Sequence, residues 1–186
     1  MDIITLVLML VALGAVAGFL AGLLGVGGGI VLVPGLYYIL SLAQPAFGFE
    51  GDVIMHCAIG TSLAVIVPTG FSSARAHHKK GGVDFDIVRM LGIGIVIGVV
   101  CATILARNLD ASTLKMIFAT ALVVFAGLMM IDRSKFQRNK AIALPKQPFV
   151  SVAGFVIGSL STLIGIGGAT LSVPYMSLHG VVMHRA

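Results

Sequence analysis

Charge is what this sequence has least of. Of 186 residues only 10% are Asp, Glu, Lys or Arg, against about 25% in an average soluble domain, and tryptophan is absent. A soluble protein is thereby excluded. The charges leave uncharged runs from Ile3 to Phe49, Val53 to Ala74, Met90 to Ala106, Met116 to Ile131 and Gln147 to His184. Each can hold a membrane-spanning helix, which needs roughly 20 mainly apolar residues. Cysteine is nearly as scarce: Cys57 and Cys101 sit inside apolar runs with no C-x-x-C spacing, which excludes a secreted disulfide scaffold. They are read as buried thiols.

Other absences narrow the function. No Lys or Arg precedes the first apolar run, so the basic n-region of a cleaved signal peptide is missing and the first helix is expected to stay in the mature protein. The spans hold no paired acidic residues and no nucleophile, base and orienter set, so an enzyme is not expected, nor is a cofactor. The run His77-His78-Lys79-Lys80 has no carboxylate or cysteine placed to complete a metal site and reads as a solvated turn. No ATP-binding motif is present, which argues against a primary pump.

The net charge of +5 would suggest nucleic acid if only the total mattered. Its distribution points to a membrane instead. Nine of the twelve cations lie in two connectors, Arg75, Lys79, Lys80 and Arg89 in one and Arg133, Lys135, Arg138, Lys140 and Lys146 in the other. The connector after Leu42 carries only Glu50 and Asp52. That is a positive-inside pattern: no nucleic acid, and a lipid bilayer as the partner. Helices are expected near 4–24, 54–74, 87–106, 113–131 and 149–165. Two crossings separate the basic connectors, so both fall on one side, taken as cytoplasmic, with the acidic connector opposite.

The first run is broken by Gly25 to Gly29 and Pro34, residues that interrupt helices. The apolar stretch 30–42 beyond them is short for a span. It is read as either a re-entrant half-helix or the second part of a broken one.

The chain also matches itself. At a separation of 140 positions, Gly14, Gly18, Gly25, Gly27, Gly28 and Pro34 fall on Gly154, Gly158, Gly165, Gly167, Gly168 and Pro174. Met55-His56-Cys57-Ala58 is echoed by Met183-His184-Arg185-Ala186. The expected organisation is a first transmembrane repeat over 1–148, with its basic connector, and the start of a second over 149–186. Because the second copy stops early, the sequence is expected to be a fragment of a longer chain.

The glycine block Gly25-Val26-Gly27-Gly28-Gly29-Ile30 superficially resembles a dinucleotide loop. It fails that test: Ile30 replaces the third glycine, no P-loop Lys follows, and the block lies in a membrane segment. The rows Gly14, Gly18, Gly22 and Gly94, Gly98, Ala102 are read as helix-packing surfaces. Three glycines in one turn ahead of Pro34 do more than thin a helix surface. They fit a helix break at membrane depth, where freed backbone groups must be buried in protein or line a wet cavity. Breaks at matching positions of two halves point to a transporter's substrate site, and half-helix N-termini suit an anion.

Polar side chains near the blocks are few: Thr61, Ser62, Thr69, Ser72 and Ser73 in the second helix, Ser161, Thr162, Thr170 and Ser172 in the second copy. In membrane helices such hydroxyls often only bond a backbone carbonyl. Thr61 and Ser62 stand out because Gly60 precedes them. His56, at the outer end of its helix, is read as interfacial, with proton handling as the alternative; His184 repeats it.

Together, G-x-x-x-G-L-L-G-x-G-G-G-x-x-x-V-P at Gly18 to Pro34, Ala58-Ile59-Gly60-Thr61-Ser62, and Gly82-Val83-Asp84-Phe85 resemble the sulfite exporter TauE/SafE family of membrane permeases. The resemblance implies a polytopic inner-membrane protein of two related halves that moves small anions such as sulfite, sulfonates or related sulfur compounds. Position by position, its first glycine block falls on Gly25, Gly27, Gly28, Gly29 and Pro34, and its second on Gly165, Gly167, Gly168 and Pro174, with a departure at Ala169.

The expectation is therefore an all-α, polytopic transmembrane bundle with an internal duplication and glycine-broken or re-entrant helices. It acts as a secondary transporter for a small anionic solute, held by these residues with Thr61 and Ser62, and a homo-oligomer is open. The alternative is a non-transporting membrane subunit or scaffold whose glycines serve only packing.

Overall fold

Inside a bilayer every backbone N–H and C=O must be paired within the protein, so long uncharged runs have to become helices. The computed structural model describes residues 2–24, 28–48, 51–79, 85–130, 149–168 and 171–172. Within them the chain is all-α: α1 (Ile3–Leu24), α2 (Gly29–Phe47), α3 (Gly51–Lys79), α4 (Phe85–Ala106), α5 (Ala111–Met130) and α6 (Phe149–Ile164). The first four are long and apolar enough to cross a membrane, while α5 and α6 carry shorter apolar stretches, Ala111–Gly127 and Phe149–Ile164.

The expected helices are all present, and α2 and α3 are longer than expected. α2 runs 19 residues through Pro34 and Pro45, about 28 Å of axis, against the 13 residues of the apolar stretch 30–42. α3 runs 29 residues through Pro68. Proline's fixed φ is helical, and its cost is one lost backbone hydrogen bond and a clash with the preceding turn. Neighbouring helices and local adjustments make that tolerable in membrane proteins.

Packing fixes the helix directions. A Cβ on Gly28 would lie 3.8 Å from Ala21 Cβ, and one on Gly35 would lie 2.9 Å from Leu13 Cδ2, so α2 folds back antiparallel along α1. α3 descends beside α2, with Gly51 near Gln44 and Ile59 in one apolar cluster with Val33. His56 near the start of α3 faces carbonyls at the end of α4. One end of the bundle therefore collects Asp2, Asp52 and Asp110, and the other collects Lys79, Arg89 and the start of α6.

α4 and α6 run parallel in the tightest seam of the fold. A Cβ on Gly94 would strike the Ser151 carbonyl, and one on Gly98 the Phe155 carbonyl, four residues on in both helices. From the other side, Cβ atoms on Gly154 and Gly158 would lie 2.5 Å from the carbonyl oxygens of Leu91 and Ile95. Ser151 Oγ donates to Met90 O and Ser159 Oγ to Gly98 O, both at 3.2 Å. Small residues let two backbones meet where lipid supplies no hydrophobic drive. Parallel α4 and α6 therefore start at the same end of the bundle.

The Gly14, Gly18, Gly22 row behaves differently from its packing reading. Among the described residues, nothing lies within 4 Å of a Cβ built on any of the three. The stripe of α1 that packs is Leu10, Leu13 and Ala17, rotated by one residue from the glycines. Cys57 and Cys101 are also corrected, since both are exposed on the bundle surface. In a membrane protein an apolar surface has lipid as its solvent, so an apolar run does not require burial in protein. The many exposed large apolar side chains of α1 and α4, such as Ile4, Phe19, Val96 and Ile104, fit the same environment.

Candidate functional site

α6 stops because Gly165 adopts φ +71°, a left-handed conformation that costs other residues roughly 1–2 kcal/mol. The Ile166 N–H donates to Ser161 O at 3.2 Å and the Gly165 N–H to Thr162 O at 3.3 Å. This pair of bonds is a Schellman motif, which satisfies carbonyls left over at the helix end. Gly167 is left-handed as well, at φ +83°. The chain then turns helical again at Gly168, whose carbonyl accepts from Leu171 N and Ser172 N at 3.2 and 2.9 Å.

The two glycine blocks meet. A Cβ on Gly29, the first residue of α2, would collide with the Gly165 carbonyl oxygen and lie 2.5 Å from Ile166 Cα. Ser62 is fully buried, and its Oγ donates to that same Gly165 carbonyl at 2.8 Å. Replacing Ser62 by an apolar residue would strand a buried acceptor, a loss of about 1–3 kcal/mol. Val33 and Ile59 close around Gly165, and Ile66 lies against Gly167. From Gly51 to Ser62 the axis of α3 rises about 16 Å, and from Ser62 to Lys79 about 26 Å. The meeting point is therefore deep inside the bundle.

Among the residues singled out in the sequence, Gly29, Ser62 and Gly165 come into direct contact, with Gly28, Gly167 and Gly168 beside them in the chain. Gly28 caps α2 in a right-handed conformation with no side-chain cap, so the positive end of the α2 dipole is directed at the tip. Thr61 and Pro34 are exposed. Gly25, Gly27, Pro174 and His184 lie outside the described residues.

His56 stands six residues before Ser62, about 9 Å along α3. Its Nδ1 is 3.3 Å from Asp52 O, and its Nε2 is 3.2 and 3.1 Å from Ala106 O and Leu109 O. The ring ties the start of α3 to the α4–α5 connection.

Around the break, Val33, Ile59 and Ile166 are buried and were not distinguishable from other apolar residues in the sequence. Ser161 is another matter. It is 5% exposed, and its Oγ has no hydrogen-bond partner among the described residues. Its neighbour Thr162 is spent on the Gly158 carbonyl at 2.8 Å. Two adjacent hydroxyls in an otherwise apolar run were the available signal.

Multiple apolar helices with interrupted ones meeting at depth define a polytopic membrane protein of the transporter kind. The sulfite exporter TauE/SafE family model matches residues 10–186, and the chain belongs to that family. It is 36% identical over 182 residues to a probable membrane transporter protein of Haemophilus influenzae, covering 98% of this chain and 67% of the relative. It is 32% identical to the probable membrane transporter protein YunE of Bacillus subtilis, covering 91% and 67%. A Methanocaldococcus jannaschii probable membrane transporter protein is 27% identical over the whole chain and 67% of its own length. The chain thus spans about two thirds of these relatives. No solved structure matches it.

Proposed function

We propose that this membrane transporter moves small anions, sulfite, organosulfonates or related sulfur compounds, across the inner (plasma) membrane as a secondary transporter. The observation that carries the reading is the contact between the Gly29 and Gly165 breaks, with buried Ser62 bonded across it. No charged side chain is needed there: the amides at the start of α2 and at the Gly168 restart supply partial positive charge to an anion. Ser161 Oγ, buried and without a protein partner among the described residues, is a further donor for a solute oxygen. The family description supplies the sulfur oxyanion class, and the basic end of the bundle faces the cytoplasm by the positive-inside rule.

Reconstituted in lipid vesicles, the full-length protein is expected to move at least one of sulfite, sulfate, an alkylsulfonate or thiosulfate above a protein-free control. Failure of all four removes the substrate assignment. The alternative role for His56 and His184, proton handling, is tested with His56→Gln: a proton-coupled carrier loses its pH dependence of transport, and one in which the ring only ties α3 to the α4–α5 connection keeps it.

A further inference from the structure

We propose that two glycine-broken units, α1 with the start of α2 and α6 with the restart at Gly168, are inverted copies of one another, entering the bilayer from opposite faces and meeting where Gly29 touches Gly165. The restarts after the two breaks match bond for bond. Val31 N and Leu32 N donate to Gly28 O at 3.2 and 2.9 Å, and Leu171 N and Ser172 N donate to Gly168 O at 3.2 and 2.9 Å. The positions involved are those paired by the sequence match of Gly28 with Gly168. After the first break α2 folds back along α1, where Gly35 packs on Leu13, and after the second Leu171 packs on the cluster of Val150, Ile157 and Leu91.

The directions are opposite. α1 starts at the acidic end of the bundle, beside Asp52 and Asp110. α6, its counterpart through Gly14/Gly154 and Gly18/Gly158, starts at the basic end, parallel to α4. Among the described residues α3, α4 and α5 lie between the two units, an odd number of crossings, which is what turns a second copy upside down. Inverted copies are related by an approximate two-fold axis in the membrane plane, and the axis passes the site where their interruptions meet. Here that point is the Gly29 contact with Gly165 and Ile166.

The inference does not depend on which solute is carried, and its test reads topology rather than transport. In the full-length protein with Cys57→Ser and Cys101→Ser, single cysteines are introduced at the exposed positions Asp2, Asp110, Lys79 and Phe149. Ser112→Cys and His78→Cys serve as replacements for any variant that does not fold. A membrane-impermeant maleimide applied to intact cells and to inverted vesicles is expected to label Asp2→Cys and Asp110→Cys from one face. Lys79→Cys and Phe149→Cys should label from the other face, each with at least tenfold preference. Labelling of Asp2→Cys and Phe149→Cys from the same face overturns the inversion.

Discussion

Gly29→Ala is expected to lower the thermal midpoint of the detergent-solubilised protein by about 5–10 °C and to cut transport at least tenfold. The added methyl would collide with the Gly165 carbonyl and sit 2.5 Å from Ile166 Cα. Both neighbours are backbone atoms and cannot rotate away. Gly165 cannot drift either, because Ser62 holds its carbonyl, two hydrogen bonds from its own turn close the end of α6, and Val33 and Ile59 pack against it. Overpacking typically costs 1–3 kcal/mol, and a clash between two backbones belongs at the upper end. For a chain of this size about 3 kcal/mol corresponds to the midpoint shift given. Gly28→Ala is the matched control. Its methyl would meet Leu32 Cδ1 at 3.5 Å and Ala21 Cβ at 3.8 Å, ordinary contacts that leave stability unchanged.

Gly158→Leu is expected to abolish folded protein altogether. The seam between α4 and α6 is backbone against backbone at Gly94, Gly98, Gly154 and Gly158, and a leucine at any of them forces the helix axes apart along the whole contact. The hydrogen bonds from Ser151 and Ser159 across the seam are lost with it. In lipid no hydrophobic gain replaces the lost packing, since the tails are as apolar as the side chains. The measurement is the monodisperse fraction after purification, with Gly127→Leu as control. A Cβ at Gly127 meets nothing within 4 Å, so that variant should purify as wild type.

Much of the architecture was legible because charge is so rare. The uncharged runs became helices, and α4 and α6, which follow the two basic connectors, start at one end of the bundle; Arg133 to Lys146 lie outside the described residues. Proline misled the reading of 30–42: Pro34 reads with Gly25 to Gly29 as an interruption, yet α2 starts at Gly29 and passes through Pro34. The glycine rows could not be told apart, because spacing shows that a helix is able to pack closely and not whether another helix arrives. Gly94 and Gly98 have a partner in α6, while Gly14, Gly18 and Gly22 have none among the described residues. Cys57 and Cys101 were misjudged for a related reason, since hydropathy cannot separate facing lipid from facing protein.

At the site the sequence supplied candidates without their arrangement. Thr61 and Ser62 are adjacent and looked equivalent, but neighbours on a helix point about 100° apart, and only Ser62 faces the break. That Gly29 and Gly165 touch depends on α2 folding back along α1 and on α6 ending at mid-depth, neither of which periodicity records. Ser161 was visible as a hydroxyl near the second block. Its want of a partner needed the packed structure.

Anion transport by Gly28→Ala and Gly168→Ala, measured beside their unfolding midpoints, probes the tip site most directly. Among the described residues a methyl fits at both positions, with no neighbour nearer than 3.5 Å at Gly28 and 3.9 Å at Gly168. If the amides of the two breaks hold the solute, each variant should keep its midpoint while its apparent affinity for the anion falls several-fold. Unchanged affinity with unchanged midpoints in both would show that the breaks shape the fold without touching the solute.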